Sequence, residues 1–224
     1  GFAFGMALYP SLAIGGDLID FYPGESGRNG RLGIMVADIA GHGVAAALLT
    51  MLFKSTAAEI FRTAATPAAG MTELNRRLAT DFPESHFACA TYLELTAGSR
   101  TIRFARGSQE PLLLLPAHGA ISEYTDGGTP PGMFAPDEMG DISYTDQELT
   151  LAPGDTLLLY TDGVSEALSP GHTMLGPETL QRWISERRAL PPAELVRELH
   201  TRVTGFTGTT RFEDDFTILA LRAE

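Results

Sequence analysis

Lysine, cysteine and tryptophan each occur once in the 224 residues, as Lys54, Cys89 and Trp183. A single cysteine excludes a disulfide framework and any thiolate metal cluster, and it suits a reducing cytoplasm. Basic residues are scarce, 16 against 28 acidic, so the formal net charge is −12. Such a field repels polyanions; it argues against nucleic acid or an anionic membrane as partner and attracts divalent cations. Long apolar runs are missing too: "VAAALLTMLF" stops at Lys54, too short to cross a bilayer. What remains is an ordinary globular composition, 44% hydrophobic, with enough apolar material for a core. Length points to one domain spanning 1–224. The chain opens at Gly1 straight into strand-like sequence, as expected of a domain excised from a longer protein, or of one whose tag was removed.

Residues 2–9, 14–22 and 32–39 read as strands separated by turns such as "PGESGRNG". From Val44 to about Thr63 the period becomes helical. Val44, Leu48, Met51 and Leu52 make one stripe and Leu49, Phe53, Ala57 and Ile60 another, so this helix is expected to pack on a sheet and on a second helix. Thr66 and Pro67 start that second helix. Residues 87–124 read as a meander, with further strands near 141–150 and 156–161. Helices are expected at 177–188 and 192–204, and "DDFTILALR" closes the chain as a strand. Helices arriving in pairs between blocks of strands favour an α+β fold with antiparallel sheets over a doubly wound one.

Acidic residues stand where apolar runs end. Asp17 follows two glycines in "AIGGDLIDF", Asp38 ends "LGIMVAD", Asp162 ends "DTLLLYTD", and Asp214 and Asp215 begin the last run. Aspartate is depleted in strands, and each residue taken alone reads as an ordinary turn or cap. Together they are harder to dismiss, because carboxylates meeting at strand ends repel unless a cation compensates. No histidine or cysteine cluster has metal-ligand spacing, so hard oxygen donors point to Mg²⁺ or Mn²⁺ over Zn²⁺ or Cu²⁺. Carboxylates around two such ions can activate water for attack on phosphate.

The ordered set "GGDLIDF", "VADIAGHGVAAALL", "LLLYTDGVSEA" and "EDDFTILAL" resembles the metal-dependent serine/threonine phosphatases of the PPM (type 2C) group, and within it the bacterial SpoIIE/RsbU branch. "LNRRL", "FACATYLEL", "GTPPGMF" and "LAPGDTLLLYTDG" fit as well. The resemblance implies an αββα four-layer sandwich, two mainly antiparallel sheets flanked by pairs of helices, with a site for two divalent cations, Mn²⁺ or Mg²⁺. Asp17, Asp38, Asp162 and Asp214 match the family's metal aspartates, and Ile39 stands where a backbone carbonyl binds metal. Asp215 is expected to support the ligands or to join them. Asp20 is ranked below all of these. The implied reaction is attack of a metal-bridging water on a phosphoserine or phosphothreonine. The implied substrate is a phosphorylated STAS-domain protein of a sigma-factor partner switch, with a sensor domain upstream. Relatives can also form homodimers.

One departure is visible: "ARGSQEPLLLL" puts Ser108 and Gln109 where relatives carry alanine-glycine-histidine before proline. His42 in "GHG" is a candidate general acid, although a turn residue ordering the backbone near Asp38 is the plainer reading. Cys89 and Trp183 read as packing residues, and His86, His118, His172 and His200 as structural or solvent-facing. "SPGHTMLGPE" is either a substrate-facing flap or a connector. Two other classes make different demands on the sequence. A haloacid-dehalogenase-type phosphatase or a receiver domain would need a parallel sheet and a lysine near a nucleophilic Asp. A catalytically silent phosphoprotein-binding module of the same fold would retain the ligands yet lack turnover.

Overall fold

Short apolar stretches bounded by turn residues become the strands of two antiparallel sheets in the computed structural model, which describes residues 1–24, 30–41, 43–83, 85–134 and 142–224. The chain opens with β1 (Phe2–Tyr9), β2 (Asp17–Pro23), β3 (Arg31–Ile39), α1 (Gly43–Thr63) and α2 (Pro67–Asp81). Next come β4 (Ala88–Thr96), β5 (Thr101–Gly107), β6 (Leu112–Leu115), β7 (Ser122–Tyr124), β8 (Gln147–Thr150) and β9 (Thr156–Tyr160). It closes with α3 (Asp162–Ser165), α4 (Pro177–Glu186), α5 (Pro192–Thr207) and β10 (Phe216–Ala223).

Two compact units result. One comprises Gly15–Gln109 and Asp126–Thr150; its sheet runs β2-β3-β4-β5-β8 and carries α1 and α2. The other comprises Gly1–Ile14, Glu110–Thr125 and Leu151–Glu224; its sheet runs β1-β10-β9-β6-β7 and carries α4 and α5. The α+β class and the two helix-bearing antiparallel sheets match expectation. The predicted meander is divided: β4 and β5 belong to the first sheet, β6 and β7 to the second. Of the stretch predicted at 141–150, only Gln147–Thr150 is strand; residues 135–141 lie outside the described ones.

Side-chain period explains the first unit's core. Phe53 and Ala57 of α1 are fully buried with Met35 and Ala37 of β3 and Tyr92 of β4. The predicted stripe of Val44, Leu48, Met51 and Leu52 behaves otherwise: Val44, Leu48 and Met51 are 66%, 67% and 62% exposed. A helix lying on a sheet buries a single stripe, and α2 meets α1 near its C-terminal end. There Phe61 fits against Gly70, where a Cβ would come within 2.2 Å of the ring. By length and composition alone α1 could cross a bilayer, yet Phe53, Ala57, Ile60 and Phe61 belong to the core. The α2 start is as read from the sequence, with the Thr66 hydroxyl accepting the Ala69 N–H at 3.2 Å and Pro67 in the first turn.

In the second unit Leu195, Val196, Leu199 and Val203 of α5 pack with Leu158 and Tyr160 of β9 and Ile218 and Ala220 of β10. Gly5 lets α5 lie against β1, since a Cβ there would stand 2.3 Å from the Pro192 backbone. His200 is half-buried on α5, in a structural role: its ring is 4.3 Å from that of Tyr9 and meets Phe212 and Phe216 edge-on at 5.6 and 5.3 Å.

Phe53→Ala is expected to lower stability by about 3–5 kcal/mol, whereas Leu48→Ala should stay within about 0.5 kcal/mol. Urea unfolding of both variants separates the buried stripe from the exposed one; equal losses would contradict it. Burial holds the His200 imidazole below its ordinary value. The unfolded chain therefore binds that proton more readily, and this group lowers stability as pH falls below about 6.5. His200→Phe should flatten the acid side of a Tm-versus-pH curve between about pH 7 and 5, and an equally steep curve would speak against it.

Candidate metal centre

Register brings the first two aspartates together. β2 and β3 pair antiparallel with Asp17 opposite Asp38. Side chains so opposed lie about 5 Å apart at Cβ, and like charges there repel. Asp17 is buried and Asp38 half-buried. Gly16 and Ile39 approach each other closely: the Ile39 N–H donates to the Gly16 carbonyl at 3.3 Å, and a Cβ on Gly16 would stand 2.6 Å from the Ile39 carbonyl oxygen. Any side chain at position 16 would therefore press on the carbonyl expected as a ligand. The Thr50 hydroxyl of α1 fixes the same turn by donating to the Gly16 carbonyl at 3.1 Å.

Asp20, three residues further along the same strand, is differently employed. The Lys54 ammonium donates to its carboxylate at 2.8 Å. This accounts for the only lysine and sets Asp20 apart from Asp17 and Asp38.

In the second unit Asp162 opens α3 directly after β9, with its carbonyl accepting the Glu166 N–H at 2.7 Å. Gly163 follows because the backbone before β10 presses against it: a Cβ there would come within 2.1 Å of the Asp215 carbonyl oxygen and 3.3 Å of the Asp214 Cβ. The Asp162 carboxyl is held above the usual carboxylate range, first by burial, then by the charges of Asp214, Glu166 and Asp215. Asp214 is exposed, and one of its oxygens accepts the Asp215 N–H at 2.7 Å. Asp215 is buried and accepts the Ser11 N–H at 2.8 Å, tying the segment after β1 to the start of β10.

The acidic groups thus come as two sets, Asp17 with Asp38 in one unit and Asp162 with Asp214, Asp215 and Glu166 in the other. Among the described residues no three Asp, Glu, His or Cys side chains form a single metal-holding cluster. The chemistry of both sets suits a hard divalent cation: every donor is oxygen, glycines clear the backbone at Ile39 and Asp162, and Asp162 is short of positive charge.

Glu166 was not among the residues read from the sequence, although its place one helical turn after Asp162 in "TDGVSE" is the signal that finds it. His42 lies outside the described residues. Cys89 is half-buried, opposite Asp38 in the ladder, not a sealed core residue. Ser108 takes the left-handed region at φ 54, and its hydroxyl donates to the Gly128 carbonyl at 3.1 Å. Gln109 is buried; the Arg106 guanidinium donates to its carbonyl and, at 3.1 Å, to that of Asp126. The departure from the family pattern is thus a loop locked on its own backbone. Trp183 packs as expected, with the Arg202 guanidinium 5.6 Å over its ring.

Residues 28–224 match the family described as Stage II sporulation protein E (SpoIIE). The chain is 29% identical over 160 residues to the phosphoserine phosphatase RsbP of Bacillus subtilis (strain 168), covering 70% of this chain and 38% of RsbP. It is 23% identical over 214 residues to the phosphoserine phosphatase RsbU of the same organism, covering 95% of this chain and 61% of RsbU. It therefore spans less than two thirds of either relative. The SiaA-PP2C domain of Pseudomonas aeruginosa has the same fold, with a TM-score of 0.83 and 23% identity over 99% of this chain and 85% of that one.

Because the folded chain holds the Asp162 proton more tightly than the unfolded chain does, this group's contribution to stability is complete below the ordinary carboxylate value near 4 and is lost as pH rises through the raised folded value. In chelator-treated buffer, Asp162→Asn is expected to melt above the wild type at pH 7–8 and to lose that advantage near pH 4. An advantage over the wild type no larger at pH 8 than at pH 4, by calorimetry, would contradict the crowding of charge at Asp162.

Proposed function

Since the chain belongs to the SpoIIE family, we propose that it is a divalent-metal-dependent phosphatase acting on phosphoserine or phosphothreonine of a regulatory protein. One observation carries this reading: a half-buried carboxyl, Asp162, crowded at the start of β10 by Asp214 and Asp215 and by Glu166, is pushed up by partial burial and by those charges, a state that a bound cation relieves. In this reading Asp17, Asp38, Asp162, Asp214 and the Ile39 carbonyl hold two Mn²⁺ or Mg²⁺ ions, and the whole of 1–224 is one phosphatase domain. Such cations supply Lewis-acid charge at the phosphoryl group and make water nucleophilic near neutral pH.

The chain's own residues prepare that chemistry. Gly16 and Gly163 keep side chains out of the places where backbone oxygens and carboxylates must approach. Asp215 holds the start of β10 through the Ser11 N–H, which positions Asp214 beside it. Lys54 occupies Asp20 and so leaves the remaining carboxylates uncompensated by lysine. The substrate class is the one implied by the family: a STAS-domain phosphoprotein, presented to a domain that a sensor segment controls and that can pair with a second copy.

Hydrolysis of p-nitrophenyl phosphate with Mn²⁺ or Mg²⁺ tests the reading. Asp38→Ala and Asp162→Ala are expected to lower the rate by at least about 100-fold, the upper end of what losing a mere supporting partner of a metal ligand costs. Equal rates in wild type and both variants would remove it.

A further inference from the structure

Beside Asp214 the second unit opens a cleft of about 380 Å³. One side is formed by the chain after α3, which folds back on itself. There Leu168 bridges to Met174, the Ser169 N–H donates to the Thr173 carbonyl at 2.9 Å, and the Leu175 N–H donates to the Ala167 carbonyl at 2.9 Å. The other side is the end of α5 and the segment leading to β10. Gly208 in the left-handed region stops the helix there, and the Thr207 hydroxyl donates to the Thr209 carbonyl at 2.9 Å. Hydrogen bonds on both sides make this a built cleft.

Two features say what it takes. Gly163, Glu166 and Asp214 belong to its lining, so it continues directly from the candidate metal centre. A polypeptide advances about 3.3–3.6 Å per residue, so a phosphoryl group held at Asp214 leaves the next two or three residues of its chain within reach of the cleft. The volume falls in the range of about 300–1,000 Å³ typical of ligand sites. The cleft also combines apolar side chains, Leu168, Phe212 and a half-exposed Met174, with one guanidinium, Arg211, and, besides Glu166 and Asp214 on the metal-centre side, one further carboxylate, Glu213. Arg31, Arg103, Arg187 and Arg202 are paired with carboxylates. Arg211 is exposed, and its guanidinium makes no ion pair or hydrogen bond with another described residue. On a surface of net charge −12, a spare guanidinium is the group able to accept a carboxylate in a forked pair.

We propose that this cleft binds the substrate polypeptide next to the phosphorylated residue, with an apolar side chain against Leu168 and Met174 and a carboxylate against Arg211. The inference rests on the phosphatase reading and adds a preference to it: acidic and apolar neighbours of the phosphoserine are selected, basic ones disfavoured.

Two synthetic phosphoserine decapeptides, identical except for glutamate or lysine beside the phosphoserine and each carrying a leucine, are compared with p-nitrophenyl phosphate in Mn²⁺. Wild type is expected to prefer the glutamate peptide in kcat/KM by about tenfold, the size of one charged hydrogen-bonded contact. Arg211→Glu should invert that preference, Met174→Asp should raise KM for both peptides, and neither should change p-nitrophenyl phosphate hydrolysis. Both positions are substantially exposed, so folding is spared. No preference in the wild type, or variants that slow p-nitrophenyl phosphate as much as the peptides, would overturn the cleft's role. A wild type inactive on all three substrates sinks the phosphatase reading, and the inference with it.

Discussion

Carboxylates crowded where water is partly excluded cannot all stay charged unless positive charge arrives from somewhere. Among the described residues, much of the protein's own positive charge is engaged elsewhere. Lysine is spent on Asp20, and several arginines are bound to Glu94, Asp146, Glu186 and Glu198. Like charge gathers instead at the ends of the apolar strands, where Asp17 faces Asp38 and Asp162 feels Asp214. Close backbone approaches at Gly16 and Gly163 sustain both arrangements, and a single methyl at either position would collide with a carbonyl oxygen. Local geometry and crowded like charge together are what give the sequence motifs chemical meaning.

Much of this was legible in the residues. Strand and helix positions followed from period and turn chemistry, because apolar alternation and the Thr66-Pro67 start are local signals. The aspartates stood out because charge at the end of a buried run contradicts strand propensity. Other features could not be read because they are not local. The division of the 87–124 stretch between two sheets depends on pairing with β8 and β9, far along the chain. The exposure of Val44, Leu48 and Met51 depends on where α2 crosses α1, which periodicity cannot give. The burial of His200 depends on Tyr9, Phe212 and Phe216, all remote in sequence.

The replacement of the family's usual histidine shows how a departure can be absorbed. Ser108 adopts a backbone conformation uncommon for a residue with a side chain, and Arg106, buried below it, donates to carbonyls on both sides of the loop. A guanidinium with a rigid fork can hold two carbonyls at once, so the turn keeps its shape without the residue that relatives place there.

The order of strands in the second unit has a consequence for how the chain is made. β10, last in sequence, lies between β1 and β9, and the Glu224 N–H meets the Gly1 carbonyl at 3.0 Å. Within this sheet the strand made first must wait, unpaired, for the one made last. The unit holding Asp17 and Asp38 draws its sheet from residues up to Thr150 and can close earlier, whereas the one holding Asp162 and Asp214 cannot close before synthesis has passed Ala223. Long-range pairing of this kind folds slowly and leaves an apolar edge open meanwhile. During translation, β1 is therefore the strand of this sheet left longest without its partner.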